Sequence, residues 1–280
     1  MRGSVERQVG AAVVHAAPVG GGCISPAWRV QLEDNSRLFV KAAPAGAPAD
    51  MVVQEALSLR RLAATATVRV PSVRALGSDW LALEWLEPAG ASAEAWPALG
   101  RSLARLHRHG AEQYGWDSSN CIGPLLQTNE WQDEWPSFWR EHRLRPQLRL
   151  ATARLRGALV PQPERLLEQL DARLAGAAED GPSLLHGDLW SGNVHFTMGG
   201  AALIDPSSYY GHREVDLAMA ALFGGFPAAF FAAYAAEWPL QPGADSRRAI
   251  YQLYYLLVHV NLFGGGYIAQ TEALLEAVLR

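Results

Sequence analysis

Apolar positions alternate with polar ones in the first third of the chain and recur at helical spacing afterwards, so a strand-rich beginning gives way to a helical remainder. The first forty residues read as strands at Ala12–Ala16, Trp28–Leu32 and Arg37–Lys41, with Asp34-Asn35 turning the chain between the last two. From Met51 to Ala63 the pattern is helical, with Val52, Leu59 and Leu62 along one stripe and Glu55 on that same stripe. Val68–Val73 and Trp80–Trp85 add two strands, the second running into Leu86-Glu87-Pro88-Ala89-Gly90, where proline and glycine mark a connection. Helical spacing then predicts Ala95–Arg108, about Glu130–Leu148, Pro161–Leu174, two helices within Leu217–Ala236, and Tyr251–Leu262. Gly264–Gly266 ends the last of these, and Thr271 is placed to cap a final helix. Val194–Thr197 and Ala201–Ile204 flank Gly199-Gly200, a pair suited to a hairpin turn whose two central residues favour positive φ. The pattern therefore predicts an α+β chain of two lobes. Residues 1–87 form a small lobe, a five-stranded antiparallel sheet with one helix, and 88–280 a larger helical one.

Composition narrows the classes open to such a chain. At 280 residues either lobe arrangement buries a sizeable core. Against 28 acidic residues stand 24 lysines and arginines, a net charge of −4, which supplies no basic footprint for nucleic acid or an anionic membrane. Two cysteines, Cys23 and Cys121, are too few for a disulfide framework, and MRGSVERQVG lacks the apolar core of a signal peptide, so a reducing cytoplasm is the expected setting. Leu217–Ala236 is uncharged and long enough to span a bilayer, but Gly224, Gly225 and Pro227 interrupt it; two core helices joined by a bend are expected instead.

Candidate chemistry concentrates in Leu184–Pro206, LLHGDLWSGNVHFTMGGAALIDP. Asp188, Asn193 five residues later, and Asp205 at the end of the hairpin are hard oxygen donors, suited to Mg²⁺ and poorly suited to zinc. Taken singly, Asp188 and Asn193 read as turn residues and Asp205 as a strand terminator. In this order, with a hairpin between, they form the catalytic-loop and metal-aspartate arrangement of the protein-kinase-like fold, with Asp188 as base and Asn193 and Asp205 as ligands of Mg²⁺ on ATP. Upstream, the run Gly20, Gly21, Gly22, Cys23, Ile24, Ser25 offers backbone amides to phosphate, or is simply a turn. Lys41 at a strand end is the expected partner of Glu55, because a carboxylate on a buried helical stripe is costly without a cation; the alternative, an exposed Glu55 at the stripe's edge and a solvated Lys41, yields only to the site downstream. Adenine is expected against backbone groups around Glu84 and Leu86. Asp216 lies where kinase-like folds tie down the catalytic loop, and a carboxylate at a helix N-terminus is the alternative. His107 and His109 are expected to be structural, and the aromatic stripe of Trp131, Trp135, Phe138 and Trp139 to be core.

Most of the chain also resembles one family, the fructosamine kinases or ketosamine-3-kinases. The stretches that carry the resemblance are GGGCIS, YGWDSSNCIG with QTNEW, FWREHRLRPQL, LLHGDLWSGN, IDPSSYYGHREVDLAM, LFGGFP and YQLYYLLVHVNLFGGGY. That resemblance implies relatives of the aminoglycoside phosphotransferases, which use ATP and Mg²⁺ to phosphorylate the 3-hydroxyl of a ketose joined to an amine. The phosphorylated adduct is unstable and releases the amine, so a glycated protein is repaired. The ketose is a pentose or a hexose, free or protein-bound; the alternatives are another amino-alcohol or aminoglycoside as acceptor, or a silent nucleotide-binding scaffold. Trp190 offers an aromatic face to the sugar, with His186 and Tyr210 as further substrate candidates. Pro206-Ser207 after Asp205 argues against a flipping activation segment. A monomer is expected, with Cys23 either filling a tight loop or acting as a redox switch and the link of a disulfide dimer.

Overall fold

The computed structural model describes residues 1–20, 25–155 and 161–280. Helix α1 (Arg2–Val9) precedes strands β1 (Val13–Pro18), β2 (Ala27–Leu32) and β3 (Arg37–Ala42). Helix α2 (Met51–Ala64) follows, then β4 (Val73–Leu76) and β5 (Trp80–Glu84). These five strands make one antiparallel sheet in the order β1-β2-β3-β5-β4. Strand alternation divides its two faces. Val30, Leu38, Val40, Trp80 and Ala82 pack with Val5 of α1, while Leu81 and Leu83 join Val52, Ala56, Leu59 and Leu62 of α2. Phe39 and Lys41, which alternate with Leu38 and Val40, therefore face away from α1 and line a cavity.

Helix α3 (Ala95–His107) opens the helical part. A short hairpin, β6 (Asn120–Ile122) and β7 (Leu125–Gln127), leads to α4 (Trp135–Trp139), a π-helical turn (Arg140–Leu144) and α5 (Arg145–Ala151). Then come α6 (Pro161–Leu174), a 3₁₀ turn (Ala175–Asp180), β8 (Ser183–Leu184), and the hairpin β9 (Val194–Thr197) and β10 (Gly200–Leu203). Strand β11 (Tyr210–Gly211) pairs with β8, and helices α7 (Glu214–Leu222), α8 (Ala228–Glu237), α9 (Ala244–Phe263) and α10 (Tyr267–Leu279) complete the chain. The uncharged stretch is thus two helices with a bend at residues 223–227, and among the described residues no helix is long and apolar enough to cross a membrane.

Several local expectations need correction. The first forty residues hold a helix as well as strands: α1 is so polar that Val5 is its one buried residue. The fourth strand starts at Val73 instead of running from Val68 to Val73, because Pro71 has no N–H to give a ladder. The helix expected from Glu130 begins at Trp135, with Pro136 in its first turn. In the β9–β10 hairpin only Gly200 takes positive φ, 104°, and Met198-Gly199 form the tip. Thr271 does not cap α10; it lies inside the helix and donates to the Tyr267 carbonyl at 2.7 Å.

Candidate active site

The loop between β8 and β9 is held from both sides. Gly187 has φ of 85°, and a Cβ there would sit 2.0 Å from the Ser207 carbonyl oxygen, so only glycine fits. Next to it the Ser207 amide donates to the His186 carbonyl at 2.9 Å. Asp216, in the first turn of α7 and fully buried, accepts the His186 amide at 2.7 Å and the Gly187 amide at 2.9 Å. Its Oδ2 also accepts His107 Nε2 at 3.1 Å. Burial opposes the charge on Asp216, but the bonds from His107 and the loop amide outweigh it and hold the carboxyl below its ordinary range. Both readings of Asp216, loop anchor and helix N-terminal carboxylate, describe the same geometry. From α9, Tyr255 donates its hydroxyl to the Gly187 carbonyl at 2.9 Å, so a third element fixes the residue before Asp188.

Asp188, half-buried, faces the cavity, and Asn193 donates its side-chain N–H to the Asp188 carbonyl (2.8 Å) and carboxylate (3.2 Å). Because both partners are acceptors, the amide orientation of Asn193 is settled and its Oδ1 is the end left for a cation. Asp205 follows β10 with φ of 52°, the left-handed region that aspartate tolerates better than most residues. This turns its carboxylate toward Lys41 Nζ at 2.9 Å, while Glu55 meets the same ammonium at 2.6 Å. Lys41 and Glu55 are both buried, whereas the Asp205 side chain is 45% exposed to the cavity.

These four ionisable groups do not balance. One ammonium faces three carboxylates, so full ionisation leaves two negative charges on the cavity wall. Burial, with the Asp205 charge added, pushes Asp188 up to about 7. Burial likewise raises Glu55 to about 7, against the pull of Lys41. Burial works against the Lys41 ammonium, but Asp205 and Glu55 more than offset it and hold Lys41 above its ordinary range. Asp205 is held low because Lys41 outweighs its burial. The Asn193 and Asp205 oxygens, on a wall whose net charge reaches −2 as Glu55 and Asp188 ionise, fit a divalent hard cation.

The cavity, about 920 Å³, is lined by Gly20, Ser25, Phe39, Leu83, Glu84 and Leu86 on the sheet side. Gly21, Gly22, Cys23 and Ile24 lie outside the described residues, and with them the expected phosphate loop and thiol switch. The Glu84 carboxylate is taken by Arg69 (3.2 Å) and Ser72, and the Leu86 carbonyl already accepts His195 Nε2 at 3.0 Å. Trp190 lines the cavity and covers Gly192, where a Cβ would meet its ring at 2.2 Å. His186 and Tyr210 do not fit the substrate role expected of them. His186 is fully buried, accepting the Asp188 amide at Nδ1 (3.3 Å), so that Nε2 carries the proton given to the Ile204 carbonyl at 3.0 Å. Tyr210 packs between Trp116 and Trp131, does not line the cavity, and takes a 3.4 Å hydrogen bond from Arg61.

Two residues of this assembly escape a reading by spacing. His107 finds its carboxylate 109 positions away, although a histidine on the Leu99–Leu103–Leu106 stripe already signals a buried imidazole in need of partners. Tyr255 sits on the buried face of α9, where a buried phenol demands an acceptor.

The chain matches the fructosamine kinase family over residues 3–280. It is 43% identical over 268 residues to a probable ketoamine kinase of Synechocystis, covering 94% of this chain and 89% of that one. A chloroplastic protein-ribulosamine 3-kinase of rice (Oryza sativa subsp. japonica) is 37% identical, with 96% and 80% covered. Among solved structures, a putative fructosamine-3-kinase from Thermobifida fusca superimposes with a TM-score of 0.91 at 39% identity, covering 100% of this chain and 98% of that one. An aminoglycoside phosphotransferase solved with gentamicin shares the fold alone, with a TM-score of 0.63 at 13% identity, over 98% of this chain and 95% of that one.

Proposed function

Because this chain belongs to the fructosamine kinase family, we propose that it is an ATP-dependent kinase that phosphorylates the 3-hydroxyl of ketosamines, ribulosamine or fructosamine adducts of amines and protein lysines. The observation that carries this reading is the cavity wall itself, where Lys41, Glu55, Asp188, Asn193 and Asp205 converge. Residues 1–87 serve as the nucleotide lobe and 88–280 as the substrate lobe.

Lys41, oriented by Glu55 at 2.6 Å, anchors the nucleotide phosphates. Asn193 Oδ1 and the Asp205 carboxylate would hold Mg²⁺, which when bound screens the phosphate charge. Asp188 accepts the proton of the substrate hydroxyl as its oxygen bonds to the γ-phosphorus. The bond from that phosphorus to the β-γ bridging oxygen breaks, and ADP leaves. Proton transfer needs the ionised form of Asp188, so the raised carboxyl sits close to the pH at which a base is most effective. Asp216 and Tyr255 keep the loop in register, and Trp190 offers a face to the sugar. The product, a phosphate ester on the carbon next to the ketone, eliminates phosphate, and water then hydrolyses the resulting imine, which returns a glycated lysine to its free form. We place this reaction in the cytoplasm, with the chain acting as a monomer.

ATP turnover with Mg²⁺ against ribulose-lysine, fructose-lysine, an aminoglycoside and choline tests this reading, with Asp188→Asn as control. Turnover of a ketosamine, lost in the variant, supports it. Turnover confined to another alcohol removes the substrate and keeps the fold and mechanism, whereas ATP binding without turnover favours a scaffold.

A further inference from the structure

Away from the phosphate-binding wall, the same cavity ends in four aromatic rings that the chemistry above does not use. Phe223 at the end of α7, His259 and Phe263 on α9, and Tyr267 at the start of α10 all line it. His259 lies 4.6 Å from Phe223, 4.9 Å from Tyr267 and 5.6 Å from Phe263, centroid to centroid. Phe263 and Tyr267 are 6.2 Å apart, and Phe223 and Tyr267 6.3 Å, the latter pair edge to face. Gly264 and Gly265, at φ of 62° and 55°, reverse the chain between α9 and α10 and so bring Tyr267 back beside Phe263. Phe263 is 52% exposed, so the cluster is open on that side.

His259 gives the cluster a polar end. Its Nδ1 donates to the Tyr255 carbonyl at 2.8 Å, its one hydrogen bond among the described residues, which leaves Nε2 as an acceptor. Burial lowers the proton affinity of the ring, so the group brings no positive charge of its own. Three carbocyclic ring faces and a neutral nitrogen acceptor are what an alkylammonium N–H requires. The cluster is also tied to the catalytic loop. Tyr255, four residues before His259 on α9, bonds the Gly187 carbonyl, so His259 lies one helical turn, about 6 Å, along the axis from that anchor. Gly225, just past Phe223, packs on Ser191, which a Cβ would meet at 2.5 Å.

We propose that Phe223, His259, Phe263 and Tyr267 form the site that binds the substrate's secondary ammonium, with the rings facing its charge and His259 Nε2 accepting one of its N–H groups. This rests on the ketosamine reading of the cavity. In such a substrate the nitrogen lies only three bonds from the carbon that carries the reacting hydroxyl, and Asp188 and the ring cluster line one and the same cavity. The cluster then recognises the amine that marks a ketosamine, and rejects the free ketose.

The test is calorimetric binding of two ligands to the full chain: 1-deoxy-1-(methylamino)fructose, an ammonium at neutral pH, and its neutral methylthio analogue. Wild type is expected to bind the ammonium about tenfold more tightly. Tyr267→Leu and Phe263→Leu are expected to erase most of that preference while leaving the thioether affinity in place. Tyr267→Phe, which keeps the ring face, is expected to retain the preference, and nucleotide binding checks that each variant is folded. Equal affinity for the two ligands in wild type, or equal losses for both in the leucine variants, overturns the assignment, even in a protein that phosphorylates ketosamines at full rate. The stated preference in a chain that phosphorylates no ketosamine supports the ammonium site and removes the substrate class instead.

Discussion

Replacing Asp216 with asparagine tests how the loop before Asp188 is held. The carboxylate accepts three buried bonds: His186 N–H (2.7 Å) and His107 Nε2 (3.1 Å) at Oδ2, and Gly187 N–H (2.9 Å) at Oδ1. An asparagine that keeps its oxygen at the doubly used position turns an NH₂ toward the Gly187 amide. One charge-assisted bond, worth about 1.5–3 kcal/mol, is lost and a buried donor is left without an acceptor. The two remaining bonds lose their charge assistance, which brings the total to about 3 kcal/mol or more, a large share of a typical stability of about 5–15 kcal/mol. Urea denaturation of both proteins at constant slope measures this directly. Freed at Gly187, the neighbouring Asp188 shifts, and a misplacement of about 1 Å costs about 100-fold in kcat. ATP affinity, which depends on the Lys41 side of the cavity, stays close to wild type. A variant within about 0.5 kcal/mol of wild type, or one with unchanged kcat, would show that Asp216 does not hold the loop.

Three further outcomes follow from the same geometry. Gly187→Ala places a Cβ 2.0 Å from the Ser207 carbonyl at φ of 85° and should lower stability by about 3 kcal/mol or more, read as the urea midpoint. Tyr255→Phe removes one neutral hydrogen bond to the Gly187 carbonyl, so stability should fall by about 1 kcal/mol, with kcat lowered and nucleotide binding intact. Glu55 and Asp188, raised to about 7, hold protons in the folded chain that the unfolded chain has already released. Their contribution to metal-free stability should therefore fall as pH rises from about 4 through about 7, opposite in sign to that of the buried His107 and His186 rings, and Mg²⁺, which competes with the carboxyl protons, should raise Tm more at pH 8 than at pH 6. An Mg²⁺ shift that is larger at pH 6 would contradict the charge balance drawn here.

What could be read from the sequence follows the range of the interactions involved. Pairing Glu55 with Lys41 needed the site downstream, since an exposed helix edge and a solvated strand end fit those two residues as well, whereas helix α2 itself was legible because its apolar stripe is a local pattern. The order Asp188, Asn193, Asp205 around a hairpin was legible for the same reason, since all three sit within one supersecondary unit. Helix α1 was not: RGSVERQV carries no apolar stripe, and it is held by partners elsewhere, such as Gln8 to the Leu76 carbonyl at 2.9 Å. The roles expected of His186 and Tyr210 were misjudged because motif position says nothing of direction. The imidazole turns inward to the Ile204 carbonyl, and the phenol packs among Trp116 and Trp131. The pairing of His107 with Asp216, and of Leu86 with His195, joins residues more than a hundred positions apart, which no local pattern encodes.

The central claim, Asp188-dependent transfer of phosphate to the third carbon of a ketosamine, is tested most directly on the product. Ribulose-lysine incubated with the enzyme, ATP and Mg²⁺, and followed by phosphorus-proton correlation NMR, should give a phosphorus signal coupled to the proton on C3. That signal should decay as inorganic phosphate and free lysine appear, and be absent with Asp188→Asn. Phosphate coupled to the terminal carbon of the sugar, or an equal rate in the variant, would contradict the account.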